Sequence, residues 1–130
     1  RLGEGEVVGI EHIKDLADLG RRNLDKEGAL RPSLRARVSI LVGDGREGVP
    51  GAAPFDAIHV GAAASSIPDS LVQQLSKGGR MIIPVGPEHG AQTLMQVDKG
   101  RDGAISLNAL HGVRYVPLTD ADHQLKRWDL

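Results

Sequence analysis

Three short apolar runs in this chain end in residues that could hold a polar ligand. Val7-Val8-Gly9-Ile10 ends in Glu11. Val38-Ser39-Ile40-Leu41-Val42 runs into Gly43-Asp44-Gly45-Arg46. Phe55-Asp56-Ala57-Ile58-His59-Val60 runs into Gly61-Ala62-Ala63-Ala64. In an open parallel α/β sheet, ligands bind beyond the carboxyl ends of the strands. A carboxylate there can accept both hydrogens of a vicinal diol, or one hydrogen of an exocyclic amine. Glu11, Asp44 and Gly45 are therefore candidate binding residues. A solvated strand-end acid and ordinary turn chemistry are the plainer alternatives. Ala62, Ala63 and Ala64 leave room for a ligand, or simply pack.

Other chemistries find little material. There are no cysteines, which excludes disulfides, thiolate catalysis and Cys-based zinc sites and suits a reducing, cytoplasmic compartment. His59 lies inside an apolar run with no second ligand at metal spacing, and reads as a core or rim histidine. His12, His89, His111 and His123 are scattered, so no metal site is expected. No Ser-His-Asp or Cys-His arrangement is visible, and no residue is assigned a catalytic role. The net charge of −1 gives no electrostatic reason to expect nucleic acid or an anionic membrane. No apolar run approaches the ~20 residues that span a bilayer. Phe55, Tyr115 and Trp128 are the only aromatics, so the core must rest on Val, Ile and Leu.

The elements that would carry these residues alternate. After the run at 7–11, residues 13, 16, 17, 19, 20 and 24 place apolar or small side chains at helical spacing, and Gly28 and Pro32 end that helix. Strands follow at 38–42 and 56–60, separated by a turn-rich loop at 48–54. Pro68 fits the first turn of a helix running to Leu75. Lys77-Gly78-Gly79-Arg80 leads to a strand at Met81-Ile82-Ile83, closed by Pro84-Val85-Gly86-Pro87. Residues 93–97, 104–110 and 113–116 then read as strands, with turns at 99–103 and at Gly112. Short loops between strands imply antiparallel pairing. Thr119 could N-cap a final helix through Lys126. The order β-α-β-β-α-β with an antiparallel tail predicts one α/β domain, with 1–86 as the α/β part and 87–130 as antiparallel strands and terminal helix.

Six blocks carry a specific resemblance. They are Val8-Gly9-Ile10-Glu11-His12-Ile13, Val42-Gly43-Asp44-Gly45-Arg46, Asp56-Ala57-Ile58-His59-Val60-Gly61-Ala62-Ala63-Ala64, Lys77-Gly78-Gly79-Arg80, Pro84-Val85-Gly86-Pro87 and Tyr115-Val116-Pro117-Leu118-Thr119-Asp120. In order and spacing they resemble the protein-L-isoaspartate (D-aspartate) O-methyltransferase family over nearly the whole chain. The resemblance implies a doubly wound, mostly parallel sheet of the class I S-adenosylmethionine-dependent methyltransferase type, with an antiparallel carboxyl-terminal addition. It implies S-adenosylmethionine as cofactor, isoaspartyl proteins and peptides as substrates, a protein-repair role and a monomeric complete enzyme. It places Glu11 on the ribose hydroxyls and Asp44 and Gly45 at the adenine. Thr119 and Gln124 lie near the cofactor, and Ala62, Ala63 and Ala64 lie on the substrate side.

The family also has an amino-terminal portion with a serine-containing substrate loop and a strand ending in a glycine-rich loop, which these residues lack. The sequence opens at Arg1 without an initiator Met or signal pattern, so the domain is expected to be incomplete at its amino terminus. The absent strand belongs between those at 7–11 and 56–60, which predicts two unpaired apolar edges. Each unpaired buried backbone group costs roughly 1–3 kcal/mol, against a net stability of ~5–15 kcal/mol, so residues 1–130 alone are expected to be marginal. The alternative from another class is a shortened, non-catalytic homologue that binds a nucleotide or a protein partner. Half of an NAD-type dehydrogenase is a third reading, disfavoured by the lack of a dinucleotide glycine motif.

Overall fold

The computed structural model describes residues 5–126. Trp128 and the opening Arg1-Leu2-Gly3-Glu4 lie outside the described residues. The described chain forms β1 (Val7–Glu11), α1 (Lys14–Gly28), α2 (Pro32–Arg35), β2 (Val38–Val42), a 3-10 turn at Pro50–Ala52, β3 (Phe55–His59), α3 (Asp69–Gln74), β4 (Leu75–Val85), β5 (Gln92–Lys99), β6 (Ile105–Val113) and α4 (Ala121–Lys126). The order is the expected one except for the short α2 and for the strand expected at 113–116. It divides into two compact units, 1–45 with 120–130, and 46–119. The sheet of the second unit runs across residue 86, because β4 joins the parallel and antiparallel strands.

In unit 1, β1 and β2 form a two-stranded parallel sheet, with Val7 opposite Val38 and Glu11 opposite Val42. Helix α1 packs on these strands, and Ala17 is its buried residue. Polar contacts do much of the fastening. Arg21 donates from Nε and Nη2 to the Ile40 carbonyl, at 3.0 and 2.6 Å, and pairs through Nη1 with Asp18 at 2.8 Å. Asp18 also takes Lys14 one turn back, at 2.5 Å. The sequence reads Pro32 as a stop. Helix α1 does end before it, at Gly28, and Pro32 also opens the single turn of α2, where its missing N–H costs no helical bond.

In unit 2 the sheet order is β3-β4-β5-β6. Strand β4 pairs in parallel with β3 and antiparallel with β5. The core is Val60, Ala64, Leu71, Leu75, Met81, Ile83 and Val97, where α3 lies against β4. Among the described residues, β1 has β2 as its strand partner and β3 has β4. These are the two strands whose other edges were expected to be open.

Three local expectations change. Lys77-Gly78-Gly79-Arg80 lies inside β4 rather than before it, and the irregularity appears as a register shift opposite Phe55 and Ala57. Gly112 is not a turn. It pairs with Thr93 inside β6, and the extra residue Leu110 absorbs the register shift. Residues 113–116 accordingly form no further strand beyond Val113. Finally, Asp120 rather than Thr119 caps α4, because its Oδ1 accepts the His123 N–H at 2.8 Å.

One buried side chain organises the segment after β6. Gln92 is 3% exposed. Its Nε2 donates to the carbonyls of Pro87 and Tyr115, at 3.2 and 3.1 Å, and its Oε1 accepts the Tyr115 N–H at 2.6 Å. Gln92→Ala leaves all three backbone groups without that partner, and we expect a loss of about 2–3 kcal/mol in urea unfolding. A loss under about 0.5 kcal/mol, the range of ordinary surface changes, would contradict the clamp.

A second prediction concerns acid. Arg80 grips Asp98 across β4 and β5 with two bonds, at 2.6 and 3.0 Å, and Gln96 adds a third at 2.8 Å. The Arg80 guanidinium, then Gln96, hold the Asp98 carboxyl below its ordinary 3.8. A depressed folded-state value contributes stability above the unfolded value, lost as pH falls through the folded one. Asp98→Asn should therefore narrow the stability difference between about pH 6 and about pH 3 in urea melts. An unchanged difference would show that the pair contributes nothing.

Candidate functional site

The carboxyl ends of β1 and β2 bring four of the expected residues into unit 1. Glu11 ends β1 opposite Val42, and its carbonyl accepts the Gly43 N–H at 3.1 Å. Asp44 and Gly45 follow at once, both half-buried. Gln124 comes from α4, half-buried, and its Oε1 is hydrogen-bonded to His12 Nε2. Glu11, Asp44, Gly45 and Gln124 thus belong to one compact unit although 113 positions separate the first from the last.

Glu11 also has a local task. Its Oε1 accepts the Ile13 N–H at 2.8 Å, at the entry to α1. The carboxylate is 35% exposed, and its Oε2 accepts no hydrogen bond from a described residue. Beside it, the His12 side chain is 16% exposed, with Nε2 3.9 Å from Glu11 Oε1. A histidine that binds Gln124 and borders Glu11 links two of the expected ligand contacts. Its place directly after Glu11 was the available signal. Scattered through the sequence with four others, it invited no role.

The other expected residues lie in unit 2. Ala63 and Ala64 are 4% and 5% exposed and act as backbone ties. Ala63 accepts from the Leu118 N–H at 2.8 Å and donates to the Val116 carbonyl at 2.7 Å. Ala64 donates to the Pro84 carbonyl at 3.0 Å and accepts the Gly86 N–H at 2.9 Å. Gly86 has φ +150°, and a Cβ there would lie 2.5 Å from the Ala91 carbonyl, so only glycine fits. Of the three alanines, Ala62 alone is half-exposed. Thr119 follows Leu118 directly and is therefore anchored beside the Ala63 tie. His59 is exposed at the end of β3, as a rim residue would be. No group of three metal-ligating side chains occurs among the described residues.

Residues 2–123 match the family model for protein-L-isoaspartate (D-aspartate) O-methyltransferase. The chain belongs to this family. It is 48% identical over 122 residues to protein-L-isoaspartate O-methyltransferase 2 of Arabidopsis thaliana, covering 94% of this chain and 39% of that one. It is 48% identical over 123 residues to protein-L-isoaspartate O-methyltransferase of Triticum aestivum, covering 95% of this chain and 53% of that one. A solved structure of a protein-L-isoaspartate O-methyltransferase from Plasmodium falciparum, in complex with S-adenosyl-L-homocysteine, superposes with TM-score 0.73 at 31% identity, over 88% of this chain and 52% of the other. A second solved protein-L-isoaspartate O-methyltransferase gives TM-score 0.76 at 26% identity, over 89% and 35%. The chain spans about half the length of the curated relatives it matches, from 39% to 54% in four of them. The isoaspartyl methyltransferase fold, α/β with a mixed sheet, is thus present in part.

Sequence reasoning passed over two polar side chains that shape this isoaspartyl methyltransferase unit, Gln74 and Lys99. Lys99 Nζ donates to the carbonyls of Val72, Gln73 and Leu75, at 3.1, 3.3 and 2.9 Å, closing the end of α3. Such a cation suits the negative end of a helix. No local pattern announces it, because β5 and α3 are far apart in sequence.

The two tasks of Glu11 can be separated. Glu11→Gln keeps an oxygen for the Ile13 N–H and should leave the melting midpoint nearly unchanged. Glu11→Ala removes the bond and should cost about 1 kcal/mol. Equal losses in both variants, read by thermal unfolding, would mean that the charge rather than the bond matters to the fold.

Proposed function

We propose that the protein carrying this chain transfers a methyl group from S-adenosylmethionine to the free carboxyl of L-isoaspartyl residues in damaged proteins. The family match over residues 2–123 carries this reading, and the relatives sharing it are named for that activity. A solved relative holds S-adenosyl-L-homocysteine.

The donor set suits the cofactor. Glu11 has one carboxylate oxygen held by Ile13 and a second for a ribose diol. Asp44 can accept from the adenine amine, with the Gly45 N–H beside the ring. Gln124 has its Oε1 on His12, which directs the Nε2 donors elsewhere. Thr119 adds a hydroxyl, and Ala62 with its buried neighbours Ala63 and Ala64 forms the substrate side. Once bound, the cofactor supplies an electrophilic methyl on a sulfonium. A substrate carboxylate is already ionised at neutral pH, so no general base is required of this chain. What these residues do is bind, orient and exclude water, and none is assigned a catalytic role.

The reading carries with it isoaspartyl proteins and peptides as partners, a cytoplasmic location and a monomeric complete enzyme. It involves no nucleic acid and no membrane. The net charge of −1 supports the first exclusion. No described helix is long and apolar enough to cross a bilayer.

The test uses the natural polypeptide that carries this chain. Labelled S-adenosylmethionine is offered with an isoaspartyl peptide and with the same peptide containing normal aspartate. Transfer to the isoaspartyl peptide alone is expected. Asp44→Ala should raise KM for the cofactor about tenfold or more, the cost of one charged hydrogen bond, and leave KM for the peptide unchanged. Binding of S-adenosylhomocysteine without any transfer would overturn the enzymatic reading in favour of a binding module.

A further inference from the structure

The loop that follows Asp44 and Gly45 is tied down by two side chains of α3. Ser70 Oγ donates to the Arg46 carbonyl. One turn further along the helix, Gln74 Nε2 donates to the Glu47 carbonyl and its Oε1 accepts the Val49 N–H, both at 2.8 Å. Gln74 is 7% exposed, so these bonds are made away from water. Gly48 lies between them with φ +65°, and a Cβ at that position would be 2.3 Å from Gln74 Oε1. The loop can therefore close on Gln74 only with glycine there. Three of the four residues 46–49 have a backbone group bound to these two side chains.

Helix α3 is itself well anchored. Leu71 is 3% exposed in the core, and the three Lys99 bonds hold the helix end to β5. A rigid support thus grips a loop that contains no strand and only a short 3-10 turn, and whose Arg46 and Glu47 are exposed. The grip begins one peptide bond after Gly45.

We infer that Ser70 and Gln74 are positioning residues for cofactor binding, through the Asp44–Gly45 turn that the gripped loop continues. The inference rests on the reading of Asp44 and Gly45 given above. A pre-organised loop lowers the ordering cost of binding. Releasing it leaves the acid and the glycine in place chemically but returns that cost to the affinity. The latch side chains bind the backbone of the loop, so loss of the latch should show in cofactor affinity and not in the peptide.

The experiment is calorimetric titration of S-adenosylhomocysteine into the natural polypeptide and its Gln74→Met, Ser70→Ala and Asp44→Ala variants, below their melting temperatures. Methionine keeps the shape of the side chain and removes the bonds. Gln74→Met should weaken binding about tenfold, and Ser70→Ala, which removes one bond, about threefold. KM for S-adenosylmethionine should rise in parallel, with kcat at saturation and KM for the peptide held. A merely structural role would lower the melting temperature with the dissociation constant unchanged, and that result overturns the inference. Weaker binding by Asp44→Ala, with wild-type affinity in both latch variants, sinks the latch alone. Wild-type affinity in all three sinks the reading of the turn as well. Where Gln74→Met does not fold, Ser70→Ala decides on the same readout.

Discussion

Both edges of β4 are occupied, and the architecture of unit 2 follows from that. The strand runs for eleven residues, parallel to β3 and antiparallel to β5. A strand with partners on both sides leaves few backbone groups for water, so its interior positions can be apolar. Met81 and Ile83 are fully buried, and Leu75 and Pro84 nearly so. Each large aliphatic side chain buried there contributes about 1.5–3 kcal/mol. A proline inside a paired strand needs its missing N–H not to be required. Pro84 lies opposite Leu94, and its carbonyl accepts the Ala64 N–H. The same strand therefore sets the height at which the Ala63–Ala64 segment is fixed, and with it the position of Leu118 and Thr119.

Unit 1 is built on a different balance. Ala17 is its one buried hydrophobic residue among those described, while Leu19, Leu41 and Val42 are 40–48% exposed. Two strands and a helix bury little surface, and a two-stranded sheet is marginal by itself. Directional contacts carry more of the load there: the Arg21 fork on Ile40, the Arg35 bonds to Asp25 and Val38, the Glu11 bond at the start of α1 and the His12–Gln124 pair. These bonds fix directions rather than volumes. They suit a strand-end region whose acids must point outwards. Regions with few buried apolar contacts also open most readily, which places the candidate nucleoside residues on the softer of the two units.

The sequence disclosed those features that obey a local rule. Short apolar runs revealed β1, β2, β3 and β5, and put Glu11 and Asp44 at strand ends. Where two rules competed, the weaker local one misled. Gly112 looks like a turn, but its pairing with Thr93 decides its conformation. Thr119 and Asp120 are both good caps, and the carboxylate one residue later takes the His123 N–H. The clamps of Gln74, Gln92 and Lys99 obey no local rule at all. Each joins segments 5–27 positions apart through an ordinary polar side chain whose importance arises from the distant backbone groups it meets.

Unit 1 is discontinuous: the chain leaves it after Gly45 and returns at Asp120. During synthesis, residues 46–119 are all made before α4 exists. Domains fold broadly as units while the ribosome extends the chain. Residues 46–119 are therefore all translated while His12 still has no glutamine to meet. The group formed by Glu11, Asp44, Gly45 and Gln124 is complete only once α4 has been made. A nascent chain halted before Gln124 would carry Glu11 and Asp44 but not the glutamine that meets His12.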